Sequence, residues 1–243
     1  MVLKMKKIKS IAGICRNKCF YAMHDLDEND DEIRKLKNSY KDKRCFLIGS
    51  GPSINKTNLK LLDNEIKVGL NLIYKTGMKF QLYFVVGNKI PKNNTNDLLD
   101  LTDETQLFLG CSAGRWWLKN MEHIFPPYIL RDYGELHVWD NFPLDITKGV
   151  RGGHTVTSIA LQTLLYLGFK EVYLLGHDCD YRTNGLYFND NRDIGYDRDW
   201  DIIFKSYEVI RRIYERQGAK IYNSTIGGKL EVFERIDLNE VFK

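Results

Sequence analysis

The sequence predicts an α/β protein: a Rossmann-like, doubly wound, mostly parallel sheet with helices on both faces and a lid-like insertion. Three observations carry this. Short apolar runs bounded by Gly, Pro and Ser alternate with helical patterns, as repeated βα units do. Runs such as Cys45-Phe46-Leu47-Ile48 are apolar throughout, which is how strands covered on both faces read. The first run ends in Gly49-Ser50-Gly51-Pro52-Ser53, a turn whose two glycines let backbone approach a ligand closely.

Taken in order, Met1 to Met23 carry Lys4, Lys6, Lys7, Lys9, Arg16 and Lys18 and no acid. Interleaved apolar residues make a stripe if this segment is helical, so it is expected either on an anionic membrane surface or packed on its own domain or a partner subunit. His24 to Asp31 reads as an acidic connector and Glu32 to Tyr40 as a short polar helix. Residues 1–40 are therefore expected to form an extension before a single Rossmann-like domain over 41–243. Lys56 to Asn64 is a polar helix or turn region. Further strands follow at Ile66 to Asn71, Phe80 to Gly87 and Thr105 to Cys111, with Lys89 to Asp103 a loop plus one short helix. The segment 111–147 holds Trp116, Trp117 and three prolines without clean periodicity and is read as a lid-like insertion. Val156 to Leu167 is a buried helix closed by Gly168, and Glu171 to Gly176 is another strand. Asp199 to Gln217 is an amphipathic helix ended by Gly218, Lys220 to Asn223 a strand, and Asp237 to Phe242 a last helix.

Composition bounds the function. Hydrophobic residues make up 43% and charged residues 28%, ordinary for a folded domain, and a net charge of +4 does not indicate nucleic acid as a partner. Cysteines at 15, 19, 45, 111 and 179 are odd in number and widely spaced, as in a reducing cytoplasm. Cys15, Cys19 and His24 lack the second pair that a structural zinc site needs.

The candidate chemistry gathers at strand ends. Gly49 to Ser53 is read either as a phosphate turn or as a tight turn without a ligand. A dinucleotide fingerprint wants a small residue where Ile54 stands, and a P-loop wants Gly-Lys-Ser/Thr where Ile54-Asn55-Lys56 stands, so neither is expected. Asn71 can meet a base or sugar edge or cap its own turn. After Gly176 come His177, Asp178, Asp180 and Tyr181. Either carboxylate can bind a divalent cation, act as base or cap a turn, and either His154 or His177 can move a proton near neutral pH. The loop Asn223 to Lys229 is placed to touch the same ligand.

Cys45 to Ser53, Gly69-Leu70-Asn71, Gly152-Gly153, Ala160-Leu161-Gln162, Tyr166 to Asp178, Ile221 to Thr225 and Gly228 to Arg235 together resemble the MptE-like family over roughly residues 40 to 240. That family includes an archaeal hydroxymethyl-dihydropterin pyrophosphokinase and bacterial members associated with surface polysaccharide. It is similar to the bacterial sialyltransferases, which use a CMP-sugar on a Rossmann-like sheet. The resemblance implies a nucleotide site formed by Gly49, Ser50, Gly51, Pro52, Ser53 and Asn71, completed by Gly152, Gly153, His154, Thr155, Tyr181 and Tyr187. Two departures stand out. Gly87 occupies a position where many relatives have Asp, and the stretch Asn189 to Trp200, where sialyltransferases carry a base histidine, has none. Asp178, Asp180 or His177 would have to serve instead.

The expected function is a glycosyltransferase that takes a nucleotide sugar, CMP-linked by the resemblance, and extends a bacterial surface glycan in the cytoplasm or at the inner face of the membrane. No tightly bound cofactor is expected, and a homo-oligomer is left open. The alternative is pyrophosphoryl transfer from ATP to a pterin-like alcohol, with Mg²⁺ held by Asp178 or Asp180. A non-catalytic nucleotide-binding module is the third reading.

Overall fold

The structure, a computed structural model, describes residues 26–102, 104–121, 128–132, 140–180 and 200–243. The expectations for the basic segment with Cys15, Cys19 and His24, and for Tyr181 and Tyr187, fall outside these residues.

Eight parallel strands form one sheet: β1 (Arg44–Ile48), β2 (Lys67–Leu70), β3 (Leu82–Val85), β4 (Gln106–Leu109), β5 (Tyr128–Ile129), β6 (Glu171–Leu175), β7 (Lys220–Asn223) and β8 (Glu234–Arg235). Their spatial order is β5-β4-β3-β2-β1-β6-β7-β8. The chain winds outward from β1 to β5, then crosses back to lay β6 on the other flank of β1. That reversal is a topological switch point, and it opens a crevice at the carboxyl ends of β1 and β6.

Because strand side chains alternate, β1 feeds two cores at once. Cys45 and Leu47 pack with Val68, Phe84 and Leu174 under α5 (Val156–Tyr166) and α6 (Trp200–Arg216). Phe46 and Ile48 pack on the opposite face with Ile54, Leu62, Val85 and the buried Trp117 of α4 (Cys111–Asn120). This double cover explains the unbroken apolar runs. Among the described residues no helix is long and apolar enough to cross a membrane.

Four expectations are corrected. The helix placed at 32–40 is α1 (Asp27–Lys35), which begins inside the supposed acidic connector. Asp27, Glu28 and Asp30 in its first turn and Arg34 and Lys35 in its last complement the helix dipole. Asp30 is buried against Arg131, and the Asn29 side chain donates to Ile129 O (3.1 Å) and accepts from Ile129 N–H (2.8 Å), pairing with β5. Second, within the supposed lid over 111–147, α4 packs on the sheet and β5 is its edge strand, because Trp117, Ile129 and Leu130 are core residues, while a 3₁₀ turn begins at Ile146. Third, Lys89 to Asp103 holds two helices, α2 (Lys89–Asn93) and α3 (Thr95–Thr102), with Pro91 in a first turn where its missing N–H costs nothing. Fourth, β8 is an unanticipated strand. It is followed by the last helix, α7 (Leu238–Val241), which Asp237 caps.

Candidate active site

At the switch point the turns after β1 and β6 touch backbone to backbone. Gly49 N–H donates to Leu175 O (2.8 Å) and Gly51 N–H to Gly176 O (3.0 Å). A Cβ on Gly49 would lie 2.7 Å from Gly176 O, and one on Gly51 would lie 2.0 Å from Asp178 Oδ2. Glycine is needed here because any side chain would separate the two turns.

The anion held by the glycine turn is the protein's own. Asp178 accepts from Ser53 N–H (3.1 Å) and Ser53 Oγ–H (2.7 Å), so both carboxylate oxygens are engaged by one residue. Burial raises its pKa, opposed by the two Ser53 bonds and by Lys56. Ser53 and Asp178 therefore form a latch between β1 and β6, and neither lines the cleft. The turn containing Pro52 is a 3₁₀ segment, Pro52–Lys56, rather than the start of a long helix. Asp180 Oδ1 accepts from Lys229 Nζ (3.0 Å). The loop from Asn223 to Lys229 packs against this turn rather than the cleft: Lys229 N–H donates to Asp178 O (2.8 Å), and Arg235 clamps the carbonyls of Thr225, Gly227 and Gly228.

His177 is buried and lines the cleft. Its N–H donates to Thr225 Oγ1 (3.0 Å), and its Nδ1 lies 3.0 Å from Leu175 O. A carbonyl can only accept, so Nδ1 carries the proton and Nε2 is a bare acceptor. Nε2 has no hydrogen-bond partner among the described residues. Burial lowers the pKa of this imidazole to about 4, so it is neutral at pH 7.

The remaining walls come from β2, β3, α5 and α6. Asn71, in the left-handed region at φ 52°, accepts from Val86 N–H (3.4 Å) through Oδ1 while bordering the cleft. Thr155 caps α5 by accepting from Ser158 N–H (3.1 Å), and its Oγ1 lies 3.2 Å from Tyr207 Oη. His154, Thr155 and Thr157 thus bring the positive end of α5 to the cleft. Gly152 and Gly153 shape the approach to that helix without lining it; Gly153 has φ 52°, and a Cβ there would meet Ser158 Oγ at 2.4 Å. The cleft measures about 140 Å³, and its lining combines Gly49, Ser50, Gly51 and Asn71 with the apolar Leu70 and Val86 and the aromatic Trp200 and Tyr207.

Of the expected site residues, Gly49, Ser50, Gly51, Asn71, His154, Thr155 and His177 meet at this cleft. Pro52, Ser53, Gly152, Gly153, Asp178 and Asp180 do not line it. Sequence reasoning missed the Trp200 and Tyr207 wall, although the amphipathic pattern of α6 put Tyr207 on its inward face. Among the described residues no group of three His, Cys, Asp or Glu side chains is placed to hold a metal ion.

These features define a doubly wound, all-parallel α/β protein with a polar cleft at its topological switch point. The fold is similar to that of the sialyltransferase CST-II, whose crystal structure contains a trisaccharide acceptor and CMP: the TM-score is 0.50 at 16% identity, covering 81% of this chain and 87% of that one. No protein-family model matches the chain, so the MptE-like resemblance gains no support from one. No curated protein matches its sequence.

Proposed function

We propose that this protein is a glycosyltransferase that binds a nucleotide-activated sugar, CMP-linked, in the cleft at the carboxyl rim and passes the sugar to a surface glycan. The observation that carries this reading is the cleft itself. The amino end of α5, at Thr155 to Thr157, supplies an uncharged anion site, and Trp200 and Tyr207 add aromatic surface to the same lining. A cleft of this composition on a fold like that of a CMP-bound sialyltransferase supports a nucleotide sugar over other anions.

In the proposed reaction an acceptor hydroxyl attacks the anomeric carbon, the bond from that carbon to the phosphate oxygen breaks, and CMP leaves with its electron pair. The hydroxyl proton passes to a base, a role worth roughly 10²–10⁴ in rate. Of the three groups considered from sequence, Asp178 is engaged by Ser53 and Asp180 by Lys229, whereas His177 borders the cleft as a neutral imidazole. The same engagements disfavour a Mg²⁺ site at these carboxylates, and with it the pyrophosphokinase reading. Titration calorimetry with CMP, CDP, UDP, GDP and ATP tests the proposal: binding of a cytidine nucleotide, unchanged by EDTA, is expected, and binding of none of the five would overturn it.

A further inference from the structure

A second cavity, of about 420 Å³, lies at the opposite rim of the sheet, where β1 and β6 begin. Its size falls in the range of small-molecule sites, roughly 300–1,000 Å³. Its walls are built by the loop between α1 and β1, by the end of α5, and by Leu144 and Gln217.

The loop is stapled in place. Asn38 N–H donates to Tyr166 O (3.2 Å), Tyr40 N–H to Leu167 O (2.9 Å) and Asp42 N–H to Gly168 O (3.1 Å). These bonds take up carbonyls at the end of α5, so the cavity's lysines are not needed as caps for that helix. The close fit requires unusual backbone. Asn38 and Asp42 have φ of 59° and 61°, and Gly168 at φ 93° has no room for a Cβ, with Lys41 Cα 3.0 Å away. Left-handed residues held by surrounding structure concentrate at ligand sites.

Charge and apolar surface meet here. Lys37, Lys41 and Lys170 line the cavity, and neither Lys37 nor Lys41 has an ion-pair partner among the described residues. Lys170 Nζ donates to the Gln217 carbonyl (3.0 Å), which leaves its charge unneutralised. The wall also carries two acids, Asp42 and Asp145, the latter accepting from Thr147 N–H (3.1 Å) and Oγ–H (2.7 Å), so three lysines against two carboxylates leave the lining positive by one charge. Leu165 and Phe169 form an apolar floor, and Leu144 is 48% exposed at the lip.

We propose that this cavity is a second binding site, separate from the cleft, for an organic phosphate: the phosphate sits among the lysine ammonium groups and an uncharged body lies over Leu144 and Leu165. Two sources share that chemistry, a soluble phosphomonoester and the headgroup of an anionic lipid. The test uses the full chain and its Lys37→Ala/Lys41→Ala variant, whose side chains are exposed and whose thermal midpoint should match the parent's. Glucose 1-phosphate is titrated by calorimetry, and phosphatidylglycerol vesicles are used in co-sedimentation, each at low and high salt. Binding in either arm that weakens about tenfold in the variant and fades with salt supports the site, and the arm that responds identifies the source. CMP affinity at the cleft, measured in parallel, should be equal in parent and variant. No binding in either arm, or binding that the variant leaves unchanged, would overturn the proposal. So would glucose 1-phosphate binding that CMP displaces competitively.

Discussion

Ser53→Ala isolates the latch between β1 and β6. The substitution removes the Oγ–H bond to Asp178 Oδ2 (2.7 Å) and leaves the backbone N–H bond to Oδ1 (3.1 Å) in place. A hydrogen bond to a buried charged group is worth about 1.5–3 kcal/mol. At about 2 kcal/mol, and about 2–4 °C per kcal/mol for a chain of this size, the melting midpoint should fall by about 4–8 °C at neutral pH. The effect carries a pH signature. Burial already raises the Asp178 pKa above its ordinary value, and the hydroxyl is one of the donors that hold it down. Losing that donor raises the folded-state pKa further. A carboxyl with a raised pKa contributes its stability when protonated, below the unfolded pKa, and loses it as pH rises through the folded pKa. The deficit of Ser53→Ala relative to wild type should therefore be largest near pH 7 and shrink as pH approaches about 4. Asp178→Asn is the control. Its carboxamide can accept from Ser53 N–H and donate to Ser53 Oγ, so its stability should carry no titration at this site. Thermal unfolding followed by circular dichroism from pH 4 to 7 measures all three proteins. A Ser53→Ala midpoint equal to wild type at pH 7, or a deficit that does not move with pH, would refute the latch.

Three further outcomes are expected. Gly51→Ala forces a Cβ to within 2.0 Å of Asp178 Oδ2 and 2.6 Å of Gly176 O, so urea unfolding should register a loss of about 1–3 kcal/mol or more; a change within about 0.5 kcal/mol would contradict the close approach of the two turns. The pKa of His177, lowered to about 4, means that the unfolded chain binds a proton the fold refuses, so stability is full above about pH 6.5 and falls as pH drops toward 4. His177→Gln should flatten that slope, and an identical pH profile in the two proteins would count against a neutral buried imidazole. Thr155→Val removes the cap on α5 and the contact with Tyr207 and should cost about 1 kcal/mol with weaker CMP binding, whereas Thr155→Ser should recover both; a variant as stable as its parent would exclude the cap.

The sheet was legible because strands buried on both faces print as apolar runs. Cys45 to Ile48 and Val172 to Leu175 could be read directly, and Gly168 and Gly218, at φ 93° and 63°, marked helix ends. The edge strands were not legible. Tyr128–Ile129 and Glu234–Arg235 are two residues each and exist only through their partners, β4 and β7. The start of α1 was hidden because the acids that favour a helix amino end also look like a solvated connector, and the Arg131 that buries Asp30 lies far along the chain. The site was half legible. Turn chemistry and topology placed Gly49 to Ser53 and Gly176 to Asp180 at one rim, and they do meet there. Which way each side chain turns depends on partners remote in sequence. Ser53 finds Asp178 across 125 positions, so the residue expected to hold a ligand's phosphate holds the protein's own carboxylate instead.

The most direct test is a structure with a cytidine nucleotide bound. The account predicts the phosphate at the amino end of α5, the ring against Trp200, and the Ser53–Asp178 bonds intact. Nucleotide seated at the amino-terminal rim, or a phosphate that displaces Asp178 from Ser53, would contradict it.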